Sequence, residues 1–172
     1  LRRLIFAAEE RLLARIGELR AIVPPSVTGG IARFSHLGEY GRLWIAIGLA
    51  GATIDRPRRS RWRSALARLL FAYGAGVATK NIVRRPRPAP SPDGHVITTP
   101  TQLSFPSSHA TTAFAAAAAY RPLVAEALGG SSARALLPIA AAMSLSRLYL
   151  GVHYPSDIVA GAALGTVLGR AR

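Results

Sequence analysis

Residues 105–120 read Phe-Pro-Ser-Ser-His-Ala-Thr-Thr-Ala-Phe-Ala-Ala-Ala-Ala-Ala-Tyr. A proline, two hydroxyls and an imidazole stand directly before the apolar run Ala113 to Ala119, and Gly129-Gly130 brings that run to a stop. The stretch predicts a helix from Ser107 to about Leu128, polar at its N-terminus and apolar along its body. Free backbone N–H groups at such an N-terminus, with the helix dipole behind them, form an anion site. Ser107 also suits a plain N-cap; that accounts for one serine but not for His109 in the first turn beside it.

The same alternation of apolar block and polar end runs through the rest of the chain. Apolar segments at residues 40–54, 62–83, 135–151 and 155–168 predict four more helices, and the basic turn at residues 55–61 separates the first two. Residues 84–106 are rich in proline and carry Asp93 and Gly94, which forbids a helix and predicts a long irregular loop of functional importance. Leu1, Ile5, Ala8, Leu12, Ile16 and Leu19 recur at helical spacing, so residues 1–22 predict an amphipathic helix lying in a membrane interface. Glu9, Glu10, Arg11 and Arg15 interrupt that stretch, so no cleavable leader is expected there.

Composition supports a membrane protein. Half of the 172 residues are apolar and only 17% are charged, against about a quarter in an ordinary soluble domain. No stretch holds eighteen uninterrupted apolar residues, which keeps a soluble helical bundle open. Gly48-x-x-Gly51, Gly74-x-Gly76 and Gly161-x-x-x-Gly165 offer the close backbone approach that membrane helices use. The expected fold is therefore all-α: one domain over 1–172, with an interfacial helix at 1–22 and an integral membrane bundle of about five short spanning helices at 40–170. There are no cysteines, so disulfides, thiolate metal sites and cysteine nucleophiles are excluded. The balance of 22 basic to 8 acidic residues, +14 in formal charge, calls for anionic partners. The arginines sit between apolar blocks, not along a continuous polar face, which favours lipid headgroups or a phosphorylated substrate over nucleic acid.

Three polar clusters interrupt the helices, each at a helix end. Lys80 and Arg87-Pro88 pair a point cation with a planar forked donor, a good combination for a phosphoryl group. Ser107, Ser108 and His109 form the second cluster. The third is Ser146-Arg147 with His153-Tyr154-Pro155-Ser156-Asp157, where Pro155 suits a first helical position and Asp157 can fold back on the His153 ring. A carboxylate on one ring nitrogen leaves the other free as a nucleophile. If the turns are short, successive helices alternate in direction and the three clusters meet on one face.

The series Lys80-x6-Arg87-Pro88, Pro106-Ser107-Ser108-His109 and Ser146-Arg147-x5-His153-x3-Asp157 resembles the three-part signature of the type 2 phosphatidic acid phosphatase family, which also includes vanadium haloperoxidases and bacterial acid phosphatases. The resemblance implies a metal-independent phosphatase without cofactor. His153 would be its nucleophile, oriented by Asp157, and His109 would protonate the leaving group. Lys80, Arg87, Ser107, Ser108 and Arg147 would hold the phosphate. Ser108 departs from the glycine usual in the family, adding a side chain beside the phosphate. Flanking similarity in Ser35-His36-Leu37-Gly38-Glu39, in residues 99–105 and in residues 150–157 resembles an actinobacterial branch acting on decaprenylphosphoryl-5-phosphoribose. His36 and Glu39 are candidate headgroup contacts on that ground, with a plain interfacial turn as the alternative. The expectation is a multi-pass protein of a bacterial inner membrane whose partners are a lipid phosphate and membrane lipids, with a homo-oligomer left open. Polyprenyl pyrophosphate, phosphatidic acid and phosphatidylglycerophosphate are the alternative substrates, and a non-catalytic lipid-binding protein is the alternative class.

Overall fold

The computed structural model of the protein describes residues 2–89 and 96–171, residues 2 and 3 by their backbone alone. Leu1 of the expected apolar stripe and the loop tip at 90–95 lie outside the described residues. Seven α-helices run through the described chain: α1 (Arg2–Ala21), α2 (Pro25–Leu37), α3 (Arg42–Ile54), α4 (Arg59–Val83), α5 (Ser108–Leu128), α6 (Gly130–Tyr149) and α7 (Pro155–Arg170). The all-α expectation holds for these residues. Helices α4, α6 and α7 surround α5, α3 packs on α4, and α1 and α2 lie against α6.

Helix α5 is the axis of the bundle because its residues are small. Ala110, Ala113, Ala115, Ala116 and Ala119 are buried on several of its faces, together with Tyr120 and Leu123, as expected of a helix apolar all round. The closest neighbour is α7, along Gly161, Gly165 and Gly169. A Cβ on Gly161 would stand 2.6 Å from the Ser107 carbonyl oxygen, and Gly165 and Gly169 face the Thr111 and Ala115 carbonyl oxygens in the same way. The two backbones touch, which fixes the start of α7 against the start of α5. A hydrogen bond of 3.0 Å from the Ser107 N–H to the Asp157 carbonyl closes the seam at that end. Toward the other end, the Trp62 and Tyr120 rings lie 5.3 Å apart and the Tyr120 hydroxyl donates to the Trp44 carbonyl at 3.1 Å. Gly48 lies under that hydroxyl and Gly51 under the Trp62 ring. Gly74 meets nothing within 4 Å and is no part of any seam.

Two expectations need correction. Residues 25–37 are helical, although the sequence predicts no helix between residues 22 and 40: Pro25 occupies the first turn, where its missing N–H costs nothing, and α2 tolerates both glycines. Helix α6 begins at Gly130, not Ala135, and runs through Pro138. In α1, Leu4, Ile5, Leu12 and Leu19 are exposed, while Glu9 is buried against the protein.

No helix of the described residues is long and apolar enough to cross a membrane. The five expected spans exist as helices α3 to α7, but arginines thin their apolar character: α4 alone carries Arg59, Arg61, Arg63 and Arg68.

Candidate active site

Helix α7 begins at Pro155, with Tyr154 as its N-cap and Asp157 in the third helical position. From there the Asp157 carboxylate folds back, and its Oδ2 accepts the Tyr154 N–H at 2.9 Å. The same oxygen lies 3.4 Å from His153 Nδ1. On the other side of the imidazole, an Arg87 Nη1 stands 3.1 Å from Nε2. A guanidinium can only donate, so His153 Nε2 must be unprotonated and Nδ1 must carry the proton that faces Asp157. The geometry thus selects one tautomer, with the Nε2 lone pair turned toward a cation. Burial holds the His153 pKa well below its usual 6.5, and the charges of Arg87, Arg147 and Lys80 push the same way. Neutral imidazole is the form a nucleophile needs.

The loop after α4 positions Arg87. Residues 85–87 pair with 102–104 through Ser104 N–H to the Arg85 carbonyl at 2.8 Å and Arg87 N–H to the Gln102 carbonyl at 3.2 Å. The Arg87 side chain donates to the Thr101 carbonyl at 2.8 Å and the Val152 carbonyl at 2.7 Å, which aims it at His153. Burial lowers its pKa to about 10, partly offset by Asp157, and leaves it charged at neutral pH. Lys80 stands at the same end of the bundle, but its three ammonium protons go to the carbonyls of Leu103, Ser104 and Pro106 at 3.1, 3.1 and 2.9 Å. In this arrangement it staples the loop and acts on the site through its charge.

At the start of α5, Ser107 is the N-cap and accepts the Ala110 N–H at 3.4 Å, so the bland role is real. Ser108 is half-buried in the first helical position. His109 turns toward α2: its Nε2 is 3.0 Å from the Ser35 carbonyl oxygen, which can only accept, so Nε2 carries a proton. Arg147, at the end of α6 and buried, donates to the Ser35 hydroxyl at 2.8 Å, while its Nε has no partner among the described residues. An unpaired buried donor of a guanidinium is costly unless something occupies it.

His36 lies in the last turn of α2 and Glu39 opens the short turn before α3. The His36 Nδ1 is 2.7 Å from a Glu39 carboxylate oxygen. The pair lines an open pocket of about 380 Å³ together with Arg33, Thr98 and Arg147, so it borders the site without entering the His153 group.

Three residues of this site escaped the sequence reading. Ser35 holds both His109 and Arg147, yet half of that work is done by a backbone carbonyl, which has no sequence signature. Arg85 donates to Asp157 Oδ1 at 3.0 Å, two positions before the motif arginine. Glu9 pairs with Arg85 at 2.8 Å from the far end of the chain.

The comparisons with known proteins fit this geometry. The PAP2 superfamily profile matches residues 61–172. Decaprenylphosphoryl-5-phosphoribose phosphatase of Mycolicibacterium smegmatis is 43% identical over 138 residues, spanning 80% of this chain and 72% of that protein. Its namesake from Mycobacterium tuberculosis H37Rv is 40% identical over 145 residues, 84% of this chain and 78% of that one. Among solved structures, the transmembrane PAP2-type phosphatidylglycerolphosphate phosphatase of Bacillus subtilis superposes with a TM-score of 0.79 at 23% identity, covering 96% of this chain and 82% of that one. Aquifex aeolicus LpxE gives 0.70 at 21% identity and covers 91% of each chain. At those identities the structures speak for the fold alone. With the profile over more than half of the chain and close phosphatase relatives over most of it, the chain belongs to the PAP2 superfamily and is a phosphatase.

Proposed function

We propose that the chain is a metal-independent membrane phosphatase that hydrolyses a lipid-linked phosphate monoester through a phosphohistidine, with decaprenylphosphoryl-5-phosphoribose as its substrate. The observation that carries this reading is the alignment Arg87–His153–Asp157, which leaves the Nε2 lone pair unprotonated and facing a phosphate-binding cation.

In the proposed sequence His153 Nε2 attacks phosphorus, a P–N bond forms and the P–O bond to the sugar breaks. The leaving alkoxide takes a proton from His109, which enters the step as the imidazolium once the anionic phosphate is bound, the Ser35 carbonyl keeping the Nε2 proton, and departs as an alcohol. Asp157 stabilises the charge on the phosphorylated imidazole. His109, now neutral, takes a proton from water; the hydroxide attacks phosphorus, the P–N bond breaks and inorganic phosphate leaves. Arg87, the unpaired Nε of Arg147 and the N–H groups at the start of α5 would hold the phosphoryl oxygens, where charge and position supply most of the rate. Ser108 would stand beside them, and Lys80 would keep the loop in register.

Substrate and location rest on two further observations. The pocket next to Arg147 offers Glu39 and Thr98 as partners for hydroxyl groups and the cationic Arg33 at its rim, which suits a sugar phosphate. Leu49 and Ile54 on α3, Phe71 and Ile82 on α4, Leu145 on α6 and Val159 and Val167 on α7 are exposed, an outward apolar surface that suits lipid.

The test is phosphate release by the purified protein from a polyprenyl-linked sugar phosphate, polyprenyl pyrophosphate, phosphatidic acid and phosphatidylglycerophosphate. The sugar phosphate should be turned over fastest, with vanadate inhibiting, and an acid-labile phosphoenzyme should be trapped in wild type but not in His153→Gln. A phosphoenzyme retained by His153→Gln would exclude the mechanism, and faster release from another lipid would reassign the substrate.

A further inference from the structure

Glu9 is 7% exposed in a helix most of whose residues face outward, and it is not there to fill apolar space. One carboxylate oxygen accepts an Arg85 Nη2 at 2.8 Å. The other accepts the Ser156 N–H at 2.7 Å, one of the unpaired donors in the first turn of α7. Arg85 spends its second amino group on the Ser156 hydroxyl at 2.7 Å and on Asp157 Oδ1 at 3.0 Å. Its guanidinium lies 3.9 Å over the Tyr154 ring, and Phe6 packs on the same ring at 5.4 Å, so the fork cannot swing freely. Burying a carboxylate and a guanidinium strips both of water before they attract each other, whereas a leucine at position 9 would dock α1 at no such cost.

Resting on the phosphatase reading of His153 and Asp157, we infer that Glu9 and Arg85 are positioning residues for the nucleophile: Glu9 divides the charge of Arg85 so that Asp157 keeps Oδ2 for the His153 Nδ1 proton. The logic is one of shared donors. Asp157 has two oxygens: Oδ1 accepts from Arg85, and Oδ2 accepts the Tyr154 N–H and faces His153, with Ser104 beside both the carboxylate and the imidazole. The His153 contact, at 3.4 Å, is the longest of these and the first to be lost if the carboxylate is drawn toward Oδ1. With Glu9 present, Arg85 is pulled from the opposite side and the carboxylate is held between two demands. Without that counter-charge the guanidinium falls wholly on Asp157. The imidazole then loses orientation and the anion that supports its charged, phosphorylated form. Hydrogen bonds from Arg85 and Ser156 outweigh the effect of burial and hold the Glu9 pKa below the usual carboxylate value, so the counter-charge is present throughout the neutral range. The consequence for α1 is direct: the helix at the start of the chain completes the site at its far side.

The experiment uses the full chain and a soluble aryl phosphate, so that lipid access does not enter. Glu9→Gln keeps the shape and the acceptor for Ser156, removes the charge and turns an amide NH2 toward Arg85 in place of the second acceptor. It should lower kcat about fivefold with KM within about twofold and an unchanged unfolding temperature, as loss of a positioned charge acts on the transition state. Glu9→Asp, which keeps the charge on a shorter stem, should lose less. Combining Glu9→Gln with Arg85→Gln should be no worse than Arg85→Gln alone, because the counter-charge has no role once the charge is gone. A purely structural Glu9 predicts normal kcat in Glu9→Gln, a larger loss in Glu9→Asp than in Glu9→Gln, or multiplying losses in the double variant, and any of these overturns the inference. No turnover in wild type would overturn the phosphatase reading and this inference with it; turnover in wild type with kcat unchanged in Glu9→Gln overturns the inference alone.

Discussion

The two flanks of the site are held by opposite means. Between α5 and α7 there are almost no side chains: Gly161, Gly165 and Gly169 bring one helix onto the carbonyls of the other. On the side of α1 and α2, contact is made by long or polar groups reaching across: Glu9 to Arg85, an Arg20 amino group to the Tyr149 carbonyl at 2.7 Å, Thr28 to the Tyr149 hydroxyl at 2.8 Å, and Ser35 to Arg147. Backbone contact has no slack, so the seam sets the distance between His153, the proposed nucleophile just before α7, and the proposed anion site at the start of α5. Polar contacts tolerate small shifts, so the flank adjusts tautomer, charge and access without fixing the fold.

The comparison breaks most visibly at Gly165. Its Cβ direction runs into the Thr111 carbonyl and the Ala115 backbone, so Gly165→Val must separate α5 from α7. We expect a loss of about 3 kcal/mol or more in denaturant unfolding, the upper range of overpacking. Turnover of every substrate should fall together. Gly74, equally a mid-helix glycine but exposed with nothing within 4 Å, is the counterpart: Gly74→Ala should stabilise by up to about 1 kcal/mol through helix propensity. If both glycines tolerate substitution equally, the seam is not what sets the site.

What the sequence revealed follows the same division. The seam and the motif residues are local in sequence: Gly161-x-x-x-Gly165, Ser107-Ser108-His109 and His153-x3-Asp157 each fit within one or two turns, where spacing translates into geometry. Gly169 continues the first pattern by one more turn and went unread. The flank is non-local. Glu9 and Arg85 lie on opposite sides of 75 intervening residues, and nothing in either neighbourhood marks them as partners. Ser35 acts through its carbonyl as well as its hydroxyl, and α2 was hidden by a proline pair that caps a helix here. Arginines misled in another way. Arg84, Arg85, Arg87 and Lys80 look alike as charge, and only the structure assigns one to His153, one to Asp157 and one to the loop carbonyls.

A second, smaller effect sharpens the contrast through pH. His153 is buried and neutral, with its folded pKa far below the unfolded value of about 6.5. Above pH 6.5 neither state binds the proton and its contribution is full. As pH falls from there toward the folded value, the unfolded chain binds a proton that the folded one refuses, so stability is lost at up to about 1.4 kcal/mol per pH unit. Unfolding followed from pH 7.5 to 5 should show this decline, and His153→Gln should make it shallower. An identical slope in the variant would mean that the imidazole is open to solvent and that the seam does not shield it.

The smallest effect concerns the outward face of α1. Leu12 and Leu19 are 45% and 61% exposed, so the protein interior gains little from them, while Glu9, buried one turn before Leu12, holds the helix to the site. If this row lies at the membrane interface, it holds the catalytic end at headgroup depth, where a phosphate on a polyprenyl tail can meet His153 without leaving the bilayer. Leu12→Asn with Leu19→Asn removes two outward apolar side chains and alters no residue of the seam or of the Glu9–Arg85 pair. Turnover of a lipid phosphate in vesicles should then fall about three- to tenfold, because the partial burial of the two leucines together is worth roughly 1 kcal/mol. Hydrolysis of a soluble aryl phosphate and the unfolding temperature should stay at wild-type values. A proportional loss on both substrates would place α1 with the seam as a structural brace, since only a helix that governs access can separate the lipid from the soluble ester.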